Sequence, residues 1–112
     1  MALRGNWENL ERVMAREGVT RRVFGGNNSM MTLNEIMPGA VPALHSHPHE
    51  QISYIMKGKA EFVLGDEVLN LEEGDLLLIP PNVPHRLKVI GDETVLNIDI
   101  FSPIREDYLL KK

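Results

Sequence analysis

The chain has 112 residues, 43% hydrophobic and 25% charged, with no cysteine, a formal net charge of −4 and a pI near 5.5. One compact domain over residues 1–112 is expected, large enough to bury about two-thirds of its unfolded surface, and the composition excludes a disordered or membrane-embedded chain. Scattered cations, apart from the Arg21-Arg22 pair, leave no basic footprint for nucleic acid, and the lack of cysteine removes thiolate metal sites and catalytic thiols. The opening stretch MALRGNWENLER holds no apolar run suited to a signal peptide, so a cytoplasmic protein without a membrane partner is expected. Trp7, Leu10, Val13 and Met14 have helical spacing and predict a short N-terminal helix. Ser29 to Met37 reads as a strand ending at the Pro38-Gly39 turn, and QISYIM and KAEFVLG read as hairpin strands on either side of Gly58. Gly65-Asp66 suits a type II′ turn into EVLNL. GDLLLIPPNVPH is a short apolar strand closed by Pro80, Pro81 and Pro84, and TVLNIDIF alternates strictly from Val95 to Phe101. Ser102 and Pro103 match the cap and first position of a terminal helix that would carry Arg105 in its first turn and end near Lys111 and Lys112. Short strands with turns every 8 to 12 residues or so predict an all-β sandwich or barrel with short terminal helices.

The segment HSHPHEQ, residues 45–51, contains three of the four histidines. In an extended chain the side chains at i and i+2 share a face, so His45 and His47 can grip one ion through their ring nitrogens. Pro48 disturbs the alternation, which leaves open whether His49 or Gln51 joins them. His85 follows Pro84 and is presented by a rigid turn entering a strand. A lone histidine in a β protein is usually a surface or hydrogen-bonded residue, but HxHxH with one distant His favours a metal. In TVLNIDIF, Leu96, Ile98 and Ile100 form one face and Val95, Asn97, Asp99 and Phe101 the other. If the second face encloses the metal, Asp99 is a candidate general acid or base and Phe101 a flat wall for a ring; otherwise this is a plain half-exposed strand. A cation in a first helical turn opposes the dipole, so Arg105 either reads a ligand carboxylate through its fork or pairs with a neighbouring acid such as Glu106 or Asp107.

Gly39, five residues, His45-x-His47, three residues, Gln51, six residues and Gly58 together resemble the first cupin motif, with Gln51 in place of the usual Glu. Gly74, five residues, Pro80-x-Asn82, two residues and His85 resemble the second, with Asn82 where Gly is usual and Val89 where Asn often stands. The resemblance implies a double-stranded β-helix (a jelly-roll barrel), often homodimeric, that holds one divalent metal per chain through His45, His47, Gln51 and His85, with His49 at the pocket rim. Three imidazoles and a neutral amide leave the ion its full charge, which favours hydrolytic, isomerising or enolising chemistry over an iron oxygenase; Zn, Ni, Mn, Fe and Co all suit such a set. Asp99-x-Phe101-x-x-x-Arg105 after a Gln-substituted site resembles the small cupins of pectin degradation that linearise unsaturated uronates. For this chain that resemblance implies an isomerase- or lyase-like enzyme acting on an anionic sugar, with Asp99 moving protons, Arg105 holding the carboxylate, and Phe101 and His49 lining the ring. Two alternatives remain: another metal-dependent cupin enzyme, such as a dioxygenase or sugar isomerase, and a non-catalytic sugar-binding sensor.

Overall fold

In the computed structural model, which describes residues 2–109, the chain forms nine strands in two antiparallel sheets. β1 (Val13–Arg16), β2 (Val19–Gly25), β3 (Met30–Ile36), β4 (Glu50–Lys57), β7 (Leu76–Ile79) and β9 (Val95–Ser102) make a six-stranded sheet in the order β1-β2-β3-β9-β4-β7. β5 (Lys59–Leu64), β6 (Glu67–Glu72) and β8 (His85–Val89) make the second, in the order β6-β5-β8, and a bridge between His45 and His85 extends it. The sheets close on each other as an all-β jelly roll. Among the described residues no helix is long and apolar enough to cross a membrane.

The hairpins follow from their turns. At Gly58 φ is +90°, and a Cβ there would meet Val95 Cγ2 at 3.0 Å and the Thr94 carbonyl oxygen at 3.1 Å, so only glycine lets β4 turn into β5 against β9. Between β5 and β6, Gly65 alone carries a positive φ, as a type II′ turn requires.

Register decides what the barrel encloses. Val19, Ile36 and Val95 stand opposite one another on β2, β3 and β9 and, with Ile55, Ala60, Phe62, Ile79 and Val89, form the apolar core. Two residues along each strand, the same inner face turns polar: Asn34 pairs with Asn97, and Asp99 stands between Thr32 and Ser53. Gln51 and Phe101 pair beyond them.

Both termini differ from expectation. Trp7–Asn9 is a single 3-10 turn capped by the Asn6 side chain, and Val13 and Met14 belong to strand β1 rather than to a helix. Their spacing fits a helix as well as a strand, but Val13 and Met14 pair with Arg21 and Thr20, and β2 supplies hydrogen bonds that a lone short helix lacks. β9 runs through Ser102, which pairs with Glu50 and is thereby held extended, so it caps no helix. The terminal helix α1 (Glu106–Leu109) starts after Arg105, which removes that residue from the first turn. Lys111 and Lys112 lie outside the described residues.

Candidate metal centre and its pocket

His45, His47 and His85 each bring one ring nitrogen within 4.8 Å of the others. The segment before β4 carries the first two, and the start of β8 carries the third, joined to it by the His45–His85 backbone bridge, with N···O distances of 3.1 and 2.9 Å. Asn82 donates its N–H to the His47 carbonyl at 2.7 Å and so ties the proline turn to the histidine segment. It takes φ +67° at the position where glycine is usual, and Asn is the residue other than glycine that tolerates this region best.

The hydrogen bonds fix which nitrogen of each ring is free. His45 Nδ1 lies 2.9 Å from the Ala43 carbonyl, His47 Nδ1 3.1 Å from that of His49 and His85 Nδ1 2.9 Å from that of Val83. A carbonyl only accepts, so Nδ1–H donates in all three rings and the lone pair resides on Nε2. Burial, then the Arg105 charge, holds the His47 imidazole below its usual range, and burial, against the hydrogen bond to Val83, holds His85 down to about 4, so both are neutral at pH 7. His85 Nε2 is buried without a hydrogen-bond partner among the described residues, and His47 Nε2 faces Gln51 Oε1 at 3.0 Å. Two lone pairs in that confrontation repel, and a cation between them resolves it. The donor set therefore fits a divalent metal held by three neutral imidazoles, with the Gln51 amide oxygen available as a fourth ligand.

His49 does not join the cluster. Its ring lies 5.4 Å from that of His47 and 6.5 Å from that of Phe101, with a buried Nδ1 lacking a partner among the described residues.

The cluster opens into a cavity of about 330 Å³ whose lining includes His45, Gln51, His85, Asp99, Phe101 and Arg105. Asp99 accepts from Asn34 at 3.0 Å and from Asn97 at 3.2 Å, while Asn97 also donates to the Ser53 hydroxyl at 2.6 Å. Burial pushes the Asp99 carboxyl up from its ordinary value, against hydrogen bonds from Gln51, Ser53 and Asn97 and the Arg21 charge. Phe101 is buried, its ring 5.7 Å from the rings of both His47 and Tyr108. Arg105 places its fork on Asp107, at 2.9 and 3.4 Å, and donates to the Tyr108 hydroxyl at 2.9 Å.

Several lining residues escaped the sequence reading. Asn34 and Ser53 are buried polar residues at the period of their strands, a signal that MTLNEIM and QIS carry but that only the β3–β9–β4 register makes meaningful. Arg21 and Tyr108 had no pattern to mark them; burial lowers the Arg21 pKa, yet a guanidinium stays charged, and burial raises that of Tyr108.

A jelly roll with a histidine cluster at the polar end of its lumen defines a cupin. Residues 32–101 match the family profile described as cupin domain, and the chain belongs to the cupin family. It is similar to the pectin degradation protein KdgF of Dickeya dadantii, 32% identical over 105 residues that cover 92% of this chain and 90% of that protein. Among solved structures, an RmlC-like cupin from Shewanella frigidimarina superposes with a TM-score of 0.85 at 28% identity, covering 93% of each chain. KdgF from Halomonas sp. superposes with a TM-score of 0.83 at 27% identity, covering 90% of this chain and 94% of that one.

Proposed function

We propose that this cupin is a metal-dependent enzyme that converts 4,5-unsaturated monouronates, products of pectin or alginate breakdown, to their linear ketonised form. The observation that carries the reading is the convergence of Asp99, Phe101 and Arg105 on the cavity that the His45, His47, Gln51 and His85 set opens into, together with the likeness to a pectin degradation protein over nearly the whole chain. A cavity of about 330 Å³ is at the lower end of the small-ligand range and suits a monosaccharide.

The reaction is an isomerisation with no co-reactant: the hemiacetal O–H proton leaves, the ring C–O bond breaks to give an aldehyde and an enolate, and a proton returns to carbon to give the ketone. A divalent ion on His45, His47, Gln51 and His85, which can be Zn, Ni, Mn, Fe or Co, supplies Lewis acidity toward a sugar oxygen when bound. Asp99 carries the proton. Its raised pKa brings the carboxyl nearer to the working pH than an exposed Asp, and Asn34 and Asn97 hold both oxygens in place. Phe101 gives the ring a flat wall and Arg105 supplies positive charge for the sugar carboxylate, whereas His49, its ring 6.5 Å from that of Phe101, is not among the residues that line the cavity. A homodimer formed through the outer face of the six-stranded sheet completes the proposal.

The test is the decay of ultraviolet absorbance of the unsaturated uronate released by a pectin or alginate lyase, followed with holo protein, chelator-stripped protein and buffer. Only the holo protein should exceed the spontaneous rate, and Asp99→Asn should cut that turnover by about 10²- to 10⁴-fold with metal content unchanged. Three coincident traces, with metal still bound in the holo sample, would return the chain to the oxygenase, isomerase or sugar-binding alternatives; loss of metal in the variant would assign Asp99 to the metal instead of the proton.

A further inference from the structure

Two guanidinium groups meet at one aromatic ring in the pocket, and they differ in how their donors are used. The Cζ of Arg21 lies 3.6 Å from the centre of the Tyr108 ring and that of Arg105 4.1 Å from it. Arg105 has its Nε and Nη2 edge on the two oxygens of Asp107 and its Nη1 on the Tyr108 hydroxyl, so the edge best shaped for a carboxylate already holds one. Arg21 is different. The ion pairs among the described residues involve Arg12, Lys57, Arg86 and Arg105 but not Arg21, and its Nε is buried with no partner. Stacking on Tyr108 satisfies the face of the guanidinium and leaves its N–H donors, which all lie in the edge, without a hydrogen-bond partner among the described residues.

Strand geometry explains why it is there. Arg21 pairs with Asn34, which stands opposite Asn97, so the side chain belongs to the inward row of β2 and lines the cavity with Asp99 and Arg105. The two carboxylates near it are already engaged: Asp99 accepts from Asn34 and Asn97, and Asp107 sits on Arg105. A half-buried cation with unspent donors, facing a ligand-sized cavity beside a second cation, is completed by an anion that comes and goes.

We propose that Arg21 is the residue that receives the anionic group of the ligand, through its edge N–H donors, while Arg105, held by Asp107, adds charge from its place on the same Tyr108 ring. The inference rests on the reading of the ligand as an anionic sugar and deepens it: the pocket selects acids over neutral sugars, and the selection resides on β2.

The test is calorimetric binding of galacturonate and of galactose to metal-loaded protein, a pair that differs in charge at one carbon. The wild type should prefer the acid. Arg21→Gln should weaken galacturonate about tenfold to a hundredfold, the worth of a charge-assisted hydrogen bond, and leave galactose unchanged. Arg21→Lys, which keeps the charge but loses the fork, should lie between them; it also keeps the proposal testable should the Gln variant fail to fold, which melting temperature and metal content report. Wild-type protein that binds galacturonate no better than galactose overturns the proposal, as does wild-type galacturonate affinity in the folded variants. If the wild type shows the preference and Arg21 carries it while no unsaturated uronate is turned over, the assignment of Arg21 stands and the ketonising reaction falls. If turnover is present and its KM is indifferent to Arg21, the reaction stands and the assignment falls.

Discussion

Because burial holds the His85 imidazole down to about 4, the unfolded chain takes up a proton at this position that the folded chain refuses over the interval from about pH 6.5 to 4. Folding stability linked to His85 is therefore complete above about pH 6.5 and lost as pH falls toward 4, by up to about 3 kcal/mol at this buried site. Asp99 acts in the opposite direction, since an acid with a raised pKa is relieved of its buried charge as pH falls. The comparison that isolates His85 is between chelator-treated wild type and His85→Gln, in which the Asp99 and His47 contributions are shared. Urea midpoints measured from pH 7.5 to 4.5 should show the wild type losing ground to the variant as the pH drops; a gap independent of pH would mean that the His85 ring is not held neutral by the fold.

At the level of the elements, the turn that carries Asn82 makes a sharper claim than the strands do. Its φ of +67° costs most side chains about 1 kcal/mol or more, and its N–H holds the His47 carbonyl. Asn82→Ala should lower the unfolding free energy by about 1 kcal/mol, whereas Asn82→Gly should be close to neutral, as chemical denaturation will show; equal losses in both variants would place the importance of Asn82 in its side chain and not in its backbone. The same turn shows what the sequence made legible. The meeting of HxH with the proline-flanked His85 could be read because histidine spacing and a rigid turn are local features, and β9 could be read because Val95 to Phe101 alternate without interruption. β2 escaped because Arg21, on the inward row between Val19 and Val23, breaks the apolar alternation that marks a strand. The irregularity that hid the strand is the side chain that lines the pocket. At the other end, nothing local says that Ser102 pairs with Glu50, so a cap signature was read where the sheet continues.

For the whole molecule, the outer face of the six-stranded sheet sets the expected assembly. Phe24, Met31, Ile100, Ile52 and Leu78 stand in register across β2, β3, β9, β4 and β7, and Leu33, Ile98, Tyr54 and Leu76 form the row beside them. Leu76 and Leu78 are 67% and 54% exposed, and the two rows form a contiguous apolar patch of the kind that isolated soluble domains seldom leave in water. The inward residues of the same strands are already committed to the core and the pocket; the N-terminal segment lies on the β2 end of the outer stripe, with Gly5 against Phe24 and the Arg22 guanidinium donating to the Trp7 carbonyl, while Leu76 and Leu78 at its β7 end stay exposed. Pairing of two such faces about a two-fold axis would bury it in both copies while leaving both pockets open. Ile98, opposite Leu33 and Tyr54, lies at the centre of the patch. Ile98→Glu would place an unpaired charge in the middle of that interface at a cost of about 3 kcal/mol or more, a hundredfold or greater rise in dimer Kd, while disturbing no inward contact of the monomer. Sedimentation equilibrium of wild type and variant should give a dimer and a monomer, with circular dichroism unchanged; a wild-type monomer, or a variant that still dimerises with wild-type affinity, would move the interface away from this face.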